Sequence, residues 1–239
     1  IVDEDNMELF LKYKEFWILK DHYTINNLFN AEDYTLRFIT GTSNIKYIKI
    51  ILEFGADPNK TFFFGNDWGN ILFAITTLEE LKLFKKYKTK FNSIHACGKS
   101  ALEFIAGTTL LRDVKYDYHS KNNRYEMVKY YLENGGIFDD NYSNDFFKCI
   151  TSCKKLFHLV FEHGFDPNSL LLGNNPHIVN ILCFVIIKNS EYEDYYYIDF
   201  LLKNGSTISL EILNIIETTY SKNQKIINKI KYVKDYLYG

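Results

Sequence analysis

The chain has 239 residues, 46% of them hydrophobic, enough for a sizeable buried core. Its 28 basic and 30 acidic residues nearly balance, so no global field draws it to nucleic acid or an anionic membrane. Only 4 cysteines are present, without the spacing of a disulfide framework, which points to a reducing compartment, and no apolar run approaches the ~20 residues that span a bilayer.

Proline is scarce, at 3, which suits a helical chain because proline breaks helix interiors. Tyr, Phe, Ile, Asn and Lys are abundant, a mix associated with AT-rich coding sequence. The acidic start, Ile1-Val2-Asp3-Glu4-Asp5, has no initiator Met and is not expected to be a signal peptide.

Residues 1–32 are expected to form a helical N-terminal cap, carried by Leu9, Phe10, Phe16, Trp17, Ile25 and Leu28. From residue 33 the pattern becomes regular. Leu36, Phe38 and Ile39 predict a short helix, and Ile45, Tyr47, Ile48, Ile51 and Leu52 a second one at three and four spacing. Gly55 then ends the second helix, and Asp57-Pro58-Asn59 starts a turn. Lys60 to Gly69 reads as an extended hairpin. The unit is helix, loop, helix, turn, hairpin.

The turn Glu53-Phe54-Gly55-Ala56-Asp57-Pro58-Asn59 returns almost intact as Glu162-His163-Gly164-Phe165-Asp166-Pro167-Asn168. Between them lie a copy starting at Lys86, where Lys88 replaces the glycine, and one starting at Glu133 with Gly135. A last copy starts at Lys203 with Gly205. Successive copies are 33, 47, 29 and 41 residues apart, and each follows an apolar helical run.

The period and the segment Gly98-Lys99-Ser100-Ala101-Leu102 resemble the ankyrin repeat family, whose period is about 33 residues and whose short helix carries T-P-L-H-x-A. Asn70-Ile71-Leu72 and Asn180-Ile181-Leu182 are weaker matches, and Tyr34-Thr35-Leu36 and Asp145-Phe146-Phe147 weaker still. The family's Thr-Pro pair is nowhere intact. Extra residues near 108–123 and around 190–194 read as insertions, which a repeat series tolerates because its core comes from neighbouring units. The resemblance implies an all-α, ankyrin-like helical repeat solenoid with short β-hairpin or loop connections and helical caps. It covers residues 33–208 as about five divergent repeats. Residues 209–239 form a C-terminal helical cap or last repeat, with Lys222, Lys225, Lys229, Lys231 and Lys234 expected on its outside.

The chemistry-bearing motifs are few. Cys149, Cys153, His158 and His163 have a zinc-like spacing, but the repeat register separates them, so ordinary core thiols and histidines are expected. Glu79-Glu80 sits near a helix start, where acids meet the dipole favourably. No G-x-S-x-G, phosphate-cradling glycine loop or H-E-x-x-H occurs. No catalytic residue, cofactor or metal is expected.

Surface recognition remains. By the resemblance, hairpin tips and short first helices line a binding face, read from residues 60–67, 93–97, 140–143 and 169–175. Its candidate partner-binding residues are Phe62, Phe63, Phe64, Trp68, His95, Tyr142 and Asn174. The run Tyr195-Tyr196-Tyr197 is expected to pack a helix with its hydroxyls wet. The sequence resembles divergent AT-rich ankyrin proteins of giant DNA viruses and poxviruses, and protozoal and intracellular-bacterial versions look similar. That similarity implies a non-catalytic, protein-binding module with a host protein partner in the host cytoplasm, and neither nucleic acid nor membrane. Two alternatives are a structural or assembly component of a virus particle and a metal-dependent enzyme.

Overall fold

A computed structural model describes residues 45–53, 55–64, 67–94, 100–106, 121–139, 141–172, 180–188 and 194–239. The expected N-terminal cap and the first short helix lie outside them, as does most of the 108–123 insertion. The described chain is mostly helical, with four short strands. It divides into two compact units: Ile1–Ile105 with Thr109–Ile137, and Ala106–Thr108 with Phe138–Gly239.

In the first unit α1 (Ile45–Glu53) leads to the strands β1 (Phe62–Phe64) and β2 (Asp67–Gly69), then a 3-10 turn (Ile71–Ala74) and α2 (Leu78–Lys86). The short α3 (Leu102–Ile105) and the longer α4 (Lys121–Glu133) follow. The last three residues of the supposed insertion, Lys121 to Asn123, thus begin a helix. β1 and β2 are antiparallel, pairing Phe63 with Trp68 and Phe64 with Asp67. α2 packs on α1 and α4, and α3 packs on the 3-10 turn and α4. The long helices therefore meet one another, and the short α3 meets both the short 3-10 turn and the long α4. Ile48, Ile51, Leu81, Phe84, Met127 and Val128 are buried from the long helices, and Ile71, Leu72 and Leu102 from the short ones.

The second unit repeats the alternation. It contains β3 (Asn141–Ser143), α5 (Asn144–Ile150), α6 (Lys154–Glu162), β4 (Leu170–Leu172), α7 (Ile181–Ile187), α8 (Asp194–Lys203), α9 (Leu210–Thr219) and α10 (Gln224–Tyr238). β3 and β4 pair in parallel, Tyr142 with Leu171. α7 packs against α5, α8 and α10, and every residue from Ile181 to Ile186 is buried. That burial explains why the sequence of α7 is apolar without a polar face.

The helix boundaries follow local chemistry. Polar side chains accept backbone N–H groups at the starts of the short elements, Asn70 from Leu72, Ser100 from Leu102, Ser143 from Phe146 and Asn180 from Cys183, and at the start of the longer α9, Ser209 from Ile212. Ser143 starts α5 two residues before the Asp145 match suggested. At α2, Thr77 and Glu80 form a reciprocal capping box, so the buried Glu80 is a structural cap.

The five turn positions share one geometry. Gly55, Lys88, Gly135, Gly164 and Gly205 all have positive φ, and Lys88, at 61°, is the only such non-glycine among the described residues. At each, the turn residue's N–H donates three residues back and the next residue's N–H five residues back, from Gly55 to Leu52 and Ala56 to Ile51 through to Gly205 to Leu202 and Ser206 to Leu201. This is the left-handed C-terminal cap that satisfies a helix's last carbonyls. Lys88 adopts it without glycine's freedom, and the neighbouring Thr89 hydroxyl adds a 2.8 Å bond to Phe84 O.

One outer lysine is misplaced by the sequence reading. Lys229 is only 2% exposed, and its Nζ donates to the carbonyls of Val185, Ile186 and Lys188 at 3.4, 3.4 and 2.7 Å. Its ammonium sits on the orphan carbonyls at the end of α7, where the helix dipole favours a cation. Lys85 does the same in the first unit, reaching Asn134 O at 2.8 Å beyond α4.

Candidate protein-binding surface

The hairpin tips are positioned by the turns just described. Asp57 Oδ1 accepts the N–H of Asn59, and Asp166 Oδ1 that of Asn168, at 2.9 and 2.8 Å. Each Asp-Pro-Asn string is therefore a self-bonded turn. That conformation sends the Asn side chain to the next turn along the chain. Asn59 Nδ2 donates to Lys88 O at 3.4 Å, while Lys90 N–H donates to Asn59 Oδ1 at 2.7 Å. Asn168 Nδ2 donates to Gly205 O at 3.0 Å, while Thr207 N–H donates to Asn168 Oδ1 at 2.8 Å. The same clasp, on the same two register positions, occurs once in each unit. It ties adjacent tips together and fixes what they present.

The tips present apolar side chains. Ile94 and Leu170 are each 61% exposed, the highest values among exposed large hydrophobic residues described. Both lie six residues beyond a left-handed turn residue, Lys88 and Gly164. Ile94 is bridged to Ser100 across its hairpin, and Leu170 opens β4. In the second unit a shallow, open depression lies beside Leu170, bordered by Phe138, Asp139, Gly164, Asp166, Asn168 and Ser169.

The expected contact residues fare differently. Phe62, Phe63, Phe64 and Trp68 occupy the paired strands β1 and β2, with Phe63 directly opposite Trp68. His95 and Asn174 fall outside the described residues. Tyr142 is a correction. It is fully buried, its ring stacked on Phe146 at 4.4 Å and close to Phe165 at 5.2 Å, and its hydroxyl accepts the Asp139 N–H at 2.7 Å. This ring fills the joint between hairpin and α5 and offers nothing to a partner. The residues missed, Ile94 and Leu170, lie inside the tip segments identified from sequence; their shared register offset was the available signal.

An exposed aromatic surface lies on the long helices of the second unit. Tyr197 is buried, but Tyr195 and Tyr196 on α8 are each 38% exposed, as is Tyr232 on α10, and Tyr236 is 50% exposed. Tyr195 and Tyr232 meet edge to face at 5.6 Å. Tyr196 shares a hydrogen bond with His158 of α6, and the Lys154 ammonium lies 4.7 Å from its ring centroid. Tyr232 donates to Asp199, and that bond, with burial and the carboxylate charge adding, raises its phenol above the ordinary tyrosine pKa.

Against known proteins, the chain matches no family model and no curated sequence.

The zinc-like spacing separates in space. Cys149 Sγ donates to Ala106 O inside the core, Cys153 caps α6, His158 packs on Phe200, and His163 ends α6 exposed. Among the described residues no three Cys, His, Asp or Glu side chains gather as a ligand set, and no helix is long and apolar enough to cross a membrane.

Proposed function

We propose that the chain is a non-catalytic protein-binding module, built on divergent ankyrin-like repeats, that engages its partner through hairpin tips. One observation carries this reading. Among the described residues the two most exposed large hydrophobic ones, Ile94 and Leu170, stand at the same register position, six residues beyond a left-handed turn residue. Isolated exposed apolar residues are common on any surface. Two at one register position form a repeated feature: the turn before Ile94 is held by Asn59, and the turn before Leu170 supplies Asn168, which holds the next turn. A preformed surface binds with little ordering cost. The ankyrin-like reading rests on the five left-handed turns, the alternation of short and long helical elements and the polar N-caps. The AT-rich, ankyrin-like sequence pattern is what suggests a host cytoplasmic protein as the partner class.

The test is affinity purification with the chain as bait, comparing wild type with Ile94→Ser/Leu170→Ser and with Phe63→Ala/Trp68→Ala. A partner retained by wild type and lost from the Ile94→Ser/Leu170→Ser variant, with circular dichroism unchanged, supports the tips as the contact. Equal retention by both variants would refute it.

A further inference from the structure

Both Asn-Gly pairs in the chain, Asn134-Gly135 and Asn204-Gly205, fall at left-handed turns that close long helices, α4 and α8. Asparagine is a thermally labile residue, most of all before glycine, where no side chain shields the next backbone nitrogen. We propose that these two pairs are latent deamidation sites, each held shut by a contact from another element of its own unit: Asn168 on the Gly205 turn and Lys85 on the Gly135 turn.

The reaction needs water and no oxidant. The Gly205 backbone nitrogen gives up its proton and attacks Cγ of Asn204. The new N–C bond forms as the bond to Nδ2 breaks, and ammonia leaves with that proton. Water then opens the cyclic imide at either carbonyl, giving aspartate or isoaspartate. The folded geometry opposes the attack in two ways. Asn204 Nδ2 is drawn back along α8 to donate to Phe200 O at 2.7 Å, and the Gly205 N–H is committed to Leu202 O at 3.2 Å. Asn134 Nδ2 likewise donates to Tyr130 O at 2.8 Å, and the Gly135 N–H to Leu132 O at 3.3 Å. The attacking nitrogen keeps its proton and the carbon it must reach is turned away. Ring closure therefore requires the turn to open.

Opening is resisted from outside each turn. Asn168 Nδ2 donates to Gly205 O at 3.0 Å, and its Oδ1 accepts the Thr207 N–H at 2.8 Å. The Lys85 ammonium donates to Asn134 O at 2.8 Å. Asn204, Gly205 and Gly135 are exposed, so water reaches an opened turn at once. The product does not close again. A carboxylate has no N–H to offer Phe200 O, and its charge stands at the C-terminal end of α8, where the helix dipole disfavours an anion. Isoaspartate also lengthens the backbone, which moves the Ser206 N–H away from Leu201 O, its acceptor at 2.9 Å. One opening is thus converted into lasting loss of cap and clasp.

The experiment incubates the full chain in warm, mildly alkaline buffer and follows both pairs by peptide mapping and mass spectrometry. Both asparagines should persist in the folded wild type and deamidate about tenfold faster or more in urea. Asn168→Ala should speed loss of Asn204 by roughly five- to thirtyfold and leave Asn134 unchanged. Lys85→Met should do the reverse. Should Asn168→Ala unfold the chain by circular dichroism, Asn168→Asp takes its place, since it keeps the acceptor for the Thr207 N–H and removes only the donor to Gly205 O. Equal rates in buffer and in urea would overturn the proposal, because the turns would then protect nothing. Folded variants that speed both asparagines alike would overturn it too, since the route would be global unfolding, and so would variants that speed neither.

Discussion

Replacing Lys88 with glycine should stabilise the protein. Lys88 is held at φ 61°, in the region occupied by glycine at the other four turn positions. Its side chain is exposed, and its structural role runs through the backbone: N–H to Lys85 O at 3.0 Å, and carbonyl to Asn59 Nδ2. Removing the side chain therefore deletes little besides the steric conflict between Cβ and the neighbouring carbonyl. That conflict costs roughly 1–2 kcal/mol. Glycine's extra unfolded-state entropy returns roughly 0.5–1 kcal/mol of this. The net gain is then about 0–1.5 kcal/mol, or a Tm rise of up to roughly 6 °C for a chain of this size. Urea unfolding followed by circular dichroism measures it. The reverse change, Gly164→Ala, should cost about 1 kcal/mol or more, since glycine there has φ 93° and open space around it. A destabilised Lys88→Gly variant, or a neutral Gly164→Ala, would refute the argument that backbone strain at this register position is what separates the two residues.

Three further outcomes follow from the geometry. Asn168→Ala removes a side chain that bonds Gly205 O, Thr207 N–H and the Thr207 hydroxyl, and should cost about 1–2 kcal/mol in urea unfolding, because backbone groups of the adjacent turn lose partners. Lys229→Met keeps the apolar stem but strips the buried carbonyls of Val185, Ile186 and Lys188 of their donor, and should cost about 1–3 kcal/mol by the same assay. Tyr232 should ionise above the ordinary tyrosine value. Its raised folded pKa means the stabilisation from its bond to Asp199 is present below the unfolded value of about 10 and is lost as pH rises through the folded one, so wild type should lose stability more steeply than Tyr232→Phe in alkali, with a correspondingly later phenolate absorbance change.

What the sequence revealed was mainly local. The left-handed turns at Gly55, Gly135, Gly164 and Gly205 were legible because a helix stop, its glycine and the preceding apolar run all fall within a few residues. The same register marked the position of Lys88, since the flanking helix and spacing carried the phase, but left open whether the residue takes the left-handed conformation, which the structure shows that it does. Features depending on packing were less visible. Tyr142 sits in a tip segment by sequence, yet stacking on Phe146 and bonding to Asp139 draw it inward. Lys229 reads as one more lysine on a basic helix face; only the packing of α10 on α7 shows that open carbonyls await it. Tyr195 and Tyr196 precede Tyr197 in one run, but the helical period turns only the third into the core. The Asp-Pro-Asn repeat was visible twice; its acceptors were not, because they lie a whole unit further on.

The clasp also explains how Lys88 is tolerated. An asparagine that binds the carbonyl of the turn residue and the N–H two positions later holds three consecutive residues in place from outside. Since both groups are backbone, the clasp works with any side chain at the turn. At Gly205 the turn would form without help, because glycine enters the left-handed region freely. At Lys88 the strained conformation must be over-determined by its surroundings, and Asn59 is the external restraint. The two residues should therefore be energetically coupled. Asn59→Ala should cost less in the wild-type background, where losing the clasp lets the Lys88 turn relax its strain, than in the Lys88→Gly background, where the turn is unstrained and the whole contribution of the clasp is lost. A double-mutant cycle by urea unfolding should show coupling of about 0.5 kcal/mol or more. Additive costs would mean that the helix cap alone, through Lys88 N–H to Lys85 O and Thr89 N–H to Phe84 O, holds the strained residue, and that the clasp serves only to tie adjacent tips together.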